Sequence, residues 1–276
     1  MQHQNLFVFD IETVPDTDAV PNLTGFKDTD VAARRDELER YHLDITGGKN
    51  PFPRQPFHKV VAISFLEAEL ERDGPGEVYL LRELRSGGEA GFHEKQLLQG
   101  FFSYFERHKP RLVSYNGRGF DLPVLKYRAM KHGISAPWLY QGGDKWNSYT
   151  SRYSADWHCD LLEILSDYGG SARVKLDEVC AVMGFPGKFG VEGSQVAQMF
   201  DDGKIQEIRD YCETDVLNTY LVYLRLMHHR ATVSTENYNR AIADIVSLIE
   251  NEGEARPHLA GFMEAWGVAS GNTFTL

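Results

Sequence analysis

Basic residues are in short supply in this chain. It carries 29 Lys and Arg against 40 Asp and Glu, a formal net charge of −11 over 276 residues. That balance argues against a protein that coats long nucleic acid through a broad basic surface. It leaves open an enzyme that grips a few nucleotides near a strand end. Cysteine is scarce too: Cys159, Cys180 and Cys212 are widely spaced and form no CxxC pair, so neither a disulfide framework nor a structural zinc site is indicated. Two of them fall in helical patterns and read as small apolar residues. No apolar run approaches the roughly 18 residues of a membrane-spanning helix. Met1-Gln2-His3-Gln4-Asn5 lacks a basic region followed by an apolar one, so a signal peptide is not expected. These absences point to a soluble cytoplasmic protein with no membrane partner. The ten histidines include no HExxH, which argues against a zinc hydrolase. Two glycine motifs also fall short. Gly117-Arg118-Gly119 has Leu122 in place of the third glycine of a dinucleotide fingerprint and Pro123 next. Pro186-Gly187-Lys188 has Val182 where a P-loop needs glycine, and Phe189 where it needs Ser or Thr.

What the chain does have is a pair of acids at the end of its first apolar run. Leu6-Phe7-Val8-Phe9 leads into Asp10-Ile11-Glu12. Side chains alternate along a strand, so Asp10 and Glu12 point to the same side of the sheet. Adjacent carboxylates repel and lose hydration when partly buried. A divalent cation between them removes that cost, because hard cations prefer carboxylate oxygens. The bland alternative is a strand end with two solvated acids.

The hydrophobic pattern is strand-rich at first. Leu6 to Asp10, Val60 to Leu66, Glu77 to Leu81 and Arg111 to Tyr115 read as strands, the second and third joined by the turn signal Asp73-Gly74-Pro75-Gly76. That short connection favours an antiparallel pair. A helix is predicted over 89–108, with Phe92, Leu97, Leu98, Phe101, Phe102 and Phe105 at helical spacing, and a shorter one over 122–131. One more short strand fits just before Asp160. Later segments are mostly helical, notably 205–227 and 238–249. The order β-β-β-α-β-α predicts a mixed sheet flanked by helices, an α/β fold with a helical C-terminal part. Residues 14–57 stand apart: Pro15, Pro21, Pro51, Pro53 and Pro56 bracket one predicted helix over 28–41. An insertion of that length between core strands is a functional flap or a mobile excursion. Residues 232–276 form a helical extension that could cap the core or serve subunit contact.

Three further acids follow. Asp121 ends Ser114-Tyr115-Asn116-Gly117-Arg118-Gly119-Phe120-Asp121, a strand, a glycine turn and an acid at a helix start. Its plain alternative is helix capping. Asp160 also sits near a helix start, and capping is the preferred reading there. Tyr211 and Asp215 are four apart in Tyr211-Cys212-Glu213-Thr214-Asp215 and share a helical face. With Ile208, Val216 and Tyr220 on part of the core side, an acid near that side is costly unless paired or metal-bound.

Phe9-Asp10-Ile11-Glu12-Thr13, Tyr115-Asn116-Gly117-Arg118-Gly119-Phe120-Asp121 and Tyr211-Cys212-Glu213-Thr214-Asp215 resemble, in order, the three exonuclease motifs of the DEDD (DnaQ-like) superfamily. The third has the Tyr-x-x-x-Asp form of the tyrosine subclass; the histidine subclass would have His where this chain has Asp210. More closely, the chain resembles the stand-alone predicted 3′–5′ exonucleases related to the exonuclease domain of family B DNA polymerases. His158-Cys159-Asp160-Leu161-Leu162, Gly184-Phe185-Pro186-Gly187-Lys188 and Arg209 to Asp215 look like that group's further blocks. The resemblance covers most of 5–227. It implies a ribonuclease H-like fold, with the whole of 1–276 as a single exonuclease domain. It implies hydrolysis from the 3′ end of single-stranded DNA, more so than RNA, with release of 5′-mononucleotides. It implies two Mg²⁺ ions, for which Mn²⁺ may substitute, held by Asp10, Glu12, Asp121 and Asp215, with Tyr211 orienting the attacking water. Thr13, Asn116, Phe120 and Lys188 are the expected substrate contacts. Lys175 and Arg173 are weaker phosphate candidates, solvated loop charge being the preferred reading. The rival readings are an exoribonuclease, a non-catalytic nucleic-acid-binding module of the same fold, and a structural component of a repair assembly.

Overall fold

The computed structural model describes residues 3–74, 76–188, 190 and 193–276, without the side chain of Asp73. Pro75 of the predicted turn and Phe189 lie outside the described residues. The strands are β1 (Asn5–Pro15), β2 (His58–Asp73), β3 (Gly76–Ser86), β4 (Arg111–Ser114) and β5 (His158–Asp160). The helices are α1 (Val20–Thr24), α2 (Val31–Ile45), α3 (Glu94–His108), α4 (Asp121–Lys131), α5 (Pro137–Gln141), α6 (Leu161–Leu165), α7 (Leu176–Met183), α8 (Val196–Asp201), α9 (Ile205–His229), α10 (Thr235–Glu252) and α11 (Pro257–Ser270). Among the described residues the sheet has the order β3-β2-β1-β4-β5. The β1–β2 and β2–β3 pairs are antiparallel, and the β1–β4 and β4–β5 pairs are parallel. This is the mixed sheet that the strand order in the sequence predicts, and it is the ribonuclease H-like fold that the resemblance implies. No described helix is long and apolar enough to cross a membrane.

β1 is central and covered on both faces, which is why it reads as an unbroken apolar run. Leu6 and Val8 join the core formed with α9, α10 and α11. Phe7, Phe9 and Ile11 face α3 and α4, where Phe7 stacks on Phe65 at 4.7 Å. Val14, Val61 and Ala62 pack against Val196, Met199, Ile208 and Tyr211 from α8 and α9. The β1–β2 register shifts between Glu12 and Thr13. Such a bulge bends and twists a strand, and here it falls directly after the paired acids.

The antiparallel strands run further than their apolar runs: β1 ends at Pro15, and β2 starts at His58. Backbone pairing carries an edge onward past the last residue that a hydrophobic pattern can mark. α3 starts later than predicted, because His93 and Gln96 form a capping box and Phe92 closes a turn onto Glu89 instead. α2 likewise begins after Asp30, whose carboxylate accepts the Ala33 N–H.

α9 is buried almost all round over 211–224, the pattern of a helix inside a core. Trp266, Phe262 and Leu259 of α11 close over it. Arg256 and His258 both bond the Glu213 carboxylate, which sits between Tyr211 and Asp215 in the chain. The C-terminal helices therefore brace the helix that carries the third motif.

Candidate active site

β1 aims Asp10 and Glu12 toward α9, where Tyr211 and Asp215 lie one turn apart. Glu12, Asp121, Asp215 and Tyr211 are buried, at 9%, 4%, 8% and 6% exposure, and Asp10 is half-buried. A carboxylate oxygen of Asp10, one of Glu12 and the Cys212 sulfur lie within 4.8 Å of one another. The fourth acid arrives on the turn after β4. Asp121 is the first residue of α4, and the backbone N–H of Ile11, between Asp10 and Glu12, hydrogen-bonds its carboxylate. Phe120, not Asp121, holds the cap position of α4, and its side chain makes no cap hydrogen bond. The four acids far apart in the sequence thus meet in one place.

Their electrostatics are unfavourable without a counter-charge. Burial, then the charges of Asp121, Glu12 and Asp215, push the Asp10 carboxyl well above the usual carboxylate range. Burial, then Asp215, does the same to Glu12. Burial lifts Asp121 to about 7 and Asp215 to about 6. Among the described residues no ion pair reaches any of the four. Lys188 is the cation that faces them, holding Asp10, Glu12 and Asp215 down in part, with its ammonium 5.7 Å from the centre of the Tyr211 ring. The buried Oδ1 of Asp215 has no hydrogen-bond partner, a costly state for a carboxylate oxygen. An all-oxygen donor set with an orphaned oxygen and excess negative charge fits hard divalent cations. Cys212 does not fit as a ligand to them. Its thiol touches Asp10 Oδ2 at 3.7 Å, and burial followed by the Asp10 and Glu12 charges holds it protonated.

The motif that carries Asp121 is held by a residue whose role the sequence left at capping. Asp160, 1% exposed, does cap α6 through the Leu162 and Glu163 N–H groups. The same carboxylate also accepts the N–H of Asn116 at 3.0 Å and that of Arg118 at 2.8 Å. It thereby staples the turn to β5. Asn116 adopts φ +67°, and its carbonyl accepts from Gly119 and Phe120. Gly117 is required for a steric reason: an added Cβ would lie 2.3 Å from Ser114 Oγ.

The predicted substrate contacts divide. Lys188 faces the carboxylates, placed by a loop that Asn218 holds through both the N–H and the carbonyl of Gly187, while the Lys188 N–H donates to Asp177. The Asn116 side-chain oxygen accepts a hydrogen bond from the Arg173 guanidinium at 3.3 Å. Thr13 Oγ1 lies 3.0 Å from His58 Nδ1, and the Phe120 ring packs edge-on against His58 at 4.9 Å. Both thus line the corner where 14–57 meets the acids. Lys175 is the cap residue of α7, and Arg173 pairs with Glu163 at 2.9 Å. Cys212 and Asn218 were missed as site residues. Cys212 lies three positions before Asp215 and Asn218 three after it, the spacing that shares a helix face, and that is the signal that could have found both.

Comparison with known proteins shows the family of the chain. Residues 50–266 match the family described as predicted 3′–5′ exonucleases related to the exonuclease domain of PolB. That span includes Asp121, Tyr211 and Asp215 and begins after Asp10 and Glu12. The chain is 27% identical over 214 residues to the catalytic polypeptide of DNA polymerase epsilon from Schizosaccharomyces pombe, covering 67% of this chain and 9% of that protein. It is 51% identical over 43 residues to the corresponding polypeptide of Dictyostelium discoideum, covering 15% of this chain and 2% of that protein. The family B DNA polymerase of Pyrobaculum calidifontis aligns with a TM-score of 0.45 and 19% identity, over 88% of this chain and 29% of that one. The chain belongs to the family of predicted 3′–5′ exonucleases related to the PolB exonuclease domain.

Proposed function

We propose that the protein hydrolyses phosphodiester bonds from the 3′ end of single-stranded DNA and releases 5′-mononucleotides, using two Mg²⁺ ions that Mn²⁺ can replace. The observation that carries this reading is the convergence of four acids, three of them buried, without an ion pair, one with an unpartnered oxygen. Asp10, Glu12 and Asp215 would hold one cation, with Asp10 shared with the second, and Asp121 would hold that second one. Bound there, a cation pair supplies an activated water and charge stabilisation of the attacking and leaving oxygens.

The chain's own residues do the rest. Burial, followed by the charges of Asp215, Glu12 and Asp10, drives the Tyr211 phenol above its usual pKa of 10.0. A phenol is a poor base near neutral pH, so its proposed part is to orient the attacking water. Lys188, beside the acids yet exposed, is placed to meet a phosphate oxygen as the substrate enters. Phe120 and Thr13 would contact the terminal nucleotide; stacking on a ring tolerates any base. Asn116 and Asp160 act through the turn that positions Asp121.

The test offers 5′-labelled single-stranded DNA, duplex DNA and RNA with Mg²⁺, Mn²⁺ or chelator. The expected result is a ladder growing from the 3′ end of the single-stranded DNA, lost with chelator. Faster laddering of RNA would make the enzyme an exoribonuclease. No cation-dependent cleavage of any of the three would leave a binding module.

A further inference from the structure

The 14–57 segment brings one more aromatic ring to the edge of the acid cluster. Phe52 is 56% exposed, unusual for a large apolar ring that is firmly held. Its centroid lies 4.8 Å from that of His58 and 6.0 Å from that of Phe120. The three rings form a triangle, with Phe120 next to Asp121 in the chain and Phe52 the most exposed of the three. His58 touches both and is fixed at both nitrogens. The Pro53 carbonyl can only accept, so His58 Nε2 donates to it at 2.8 Å, and Nδ1 accepts from Thr13 Oγ1 at 3.0 Å. Burial lowers the His58 pKa, consistent with that neutral form.

Phe52 is rigid for reasons written in Asn50-Pro51-Phe52-Pro53. Proline on either side restricts the backbone. The Phe52 N–H donates to Asn50 Oδ1 at 3.0 Å, and the Arg54 N–H donates to His42 Nε2 at 3.1 Å. Gln55 Nε2 ties the segment to the Gly119 carbonyl at 3.1 Å, within the motif that carries Asp121. A phenyl face left open to water, but locked in place, loses little entropy when a flat partner covers it.

Building on the nuclease reading, we propose that Phe52 is a specificity-determining residue that stacks on the base of the nucleotide adjoining the one removed. Phe120 adjoins Asp121 in the chain and is assigned above to the terminal nucleotide, so Phe52, with its ring 6.0 Å from that of Phe120, is assigned to the neighbouring one. The segment then favours strands whose second base from the 3′ end is unpaired and free to stack.

The test compares wild type, Phe52→Ala and Phe52→Tyr on two single-stranded oligonucleotides, one normal and one abasic at the second position from the 3′ end. Removal of the first nucleotide is followed, with folding checked by thermal melting. Base–aromatic stacking predicts an increase in KM of about tenfold or more for Phe52→Ala on the normal strand. Wild type should show a similar increase on the abasic strand, and Phe52→Ala should lose little further there. Phe52→Tyr should behave as wild type on both. Equal KM for wild type and Phe52→Ala on the normal strand would overturn the proposal. So would an equal loss for Phe52→Ala on both strands, since that effect would not depend on the base. If wild type cleaves neither strand with Mg²⁺ or Mn²⁺, the nuclease reading itself fails, and the proposal with it.

Discussion

Asp215 and Tyr211 occupy successive turns of one helix face and test different parts of the chemistry. Asp215 carries the orphaned buried oxygen, so Asp215→Ala, like Asp10→Ala, should abolish turnover while leaving the melting cooperative. Both variants remove a donor from a pocket that is strained by like charge, so folding does not depend on keeping the acid. Retained turnover in either, with contaminating nuclease excluded, contradicts the assignment. Tyr211→Phe should act differently. Loss of an orienting hydrogen bond is expected to lower kcat by about 10- to 100-fold, with Mn²⁺ affinity by calorimetry unchanged. A loss of Mn²⁺ binding would show the phenol to be part of the cation site instead. At this scale the acids were singled out in the sequence by their settings: Asp10 and Glu12 follow an apolar run, Asp121 begins a helix, and Asp215 shares a helix face with Tyr211 near the core side. Cys212 was not: a cysteine in an apolar helix pattern reads as packing, and only the contact with Asp10 shows that it lines the site. The place of Asn218 on the Asp215 face was readable from its spacing, but its role was not, because its partners are the backbone atoms of Gly187, far away in the chain.

The turn between β4 and α4 shows how an element can depend on a residue outside it. Two N–H groups of that turn and two at the start of α6 share the Asp160 carboxylate as acceptor. Asp160→Ala would leave buried donors unsatisfied, at about 1–3 kcal/mol for each that water cannot reach. It should therefore destabilise the fold by several kcal/mol in total and lower activity by displacing Asp121. Denaturant unfolding and kcat measure the two effects. Asp160→Asn, which keeps one acceptor oxygen, should restore part of both. Full activity in a destabilised Asp160→Ala would separate the turn from catalysis. The sequence predicted capping for Asp160, which is half of what it does; the other half needs β4 and β5 side by side, a pairing that no local pattern encodes. Element ends were misread for the same reason. β1 and β2 extend to Pro15 and from His58 because each supplies the other's hydrogen bonds, and periodicity stops where the side chains stop alternating.

Taken as a whole, the molecule divides its charge into two classes. Buried acids such as Glu77, Glu94 and Glu213 have cationic or hydrogen-bonding partners (Arg111 for Glu77, Arg128 and His132 for Glu94, His258 and then Arg256 for Glu213), which outweigh burial and hold their carboxyls below the usual range. The acids of the site have no such partners and are shifted upward. The order of strands and helices was readable from the sequence, but this division was not, because it depends on which arginine reaches which acid across the core. It has a consequence for stability. Asp121 at about 7 and Asp215 at about 6 keep protons in the folded chain that the unfolded chain, at 3.8, has released. Their contribution is complete below about pH 4 and is lost as pH rises through 6 and 7. The buried His58 and His158 act in the opposite sense, because burial lowers their pKa values below 6.5 and keeps them neutral. Comparing protein with and without a divalent cation cancels the histidines, which do not hold it. Cation binding requires the ionised acids, so the stabilisation by Mg²⁺ should be small near pH 5 and grow toward pH 8. At a hundredfold excess over Kd it should reach about 5–10 °C in Tm. Melting curves across that range, with chelator and with Mg²⁺, measure it. A shift of the same size at every pH, or one that survives in Asp10→Ala, would place the cation elsewhere on this acidic surface.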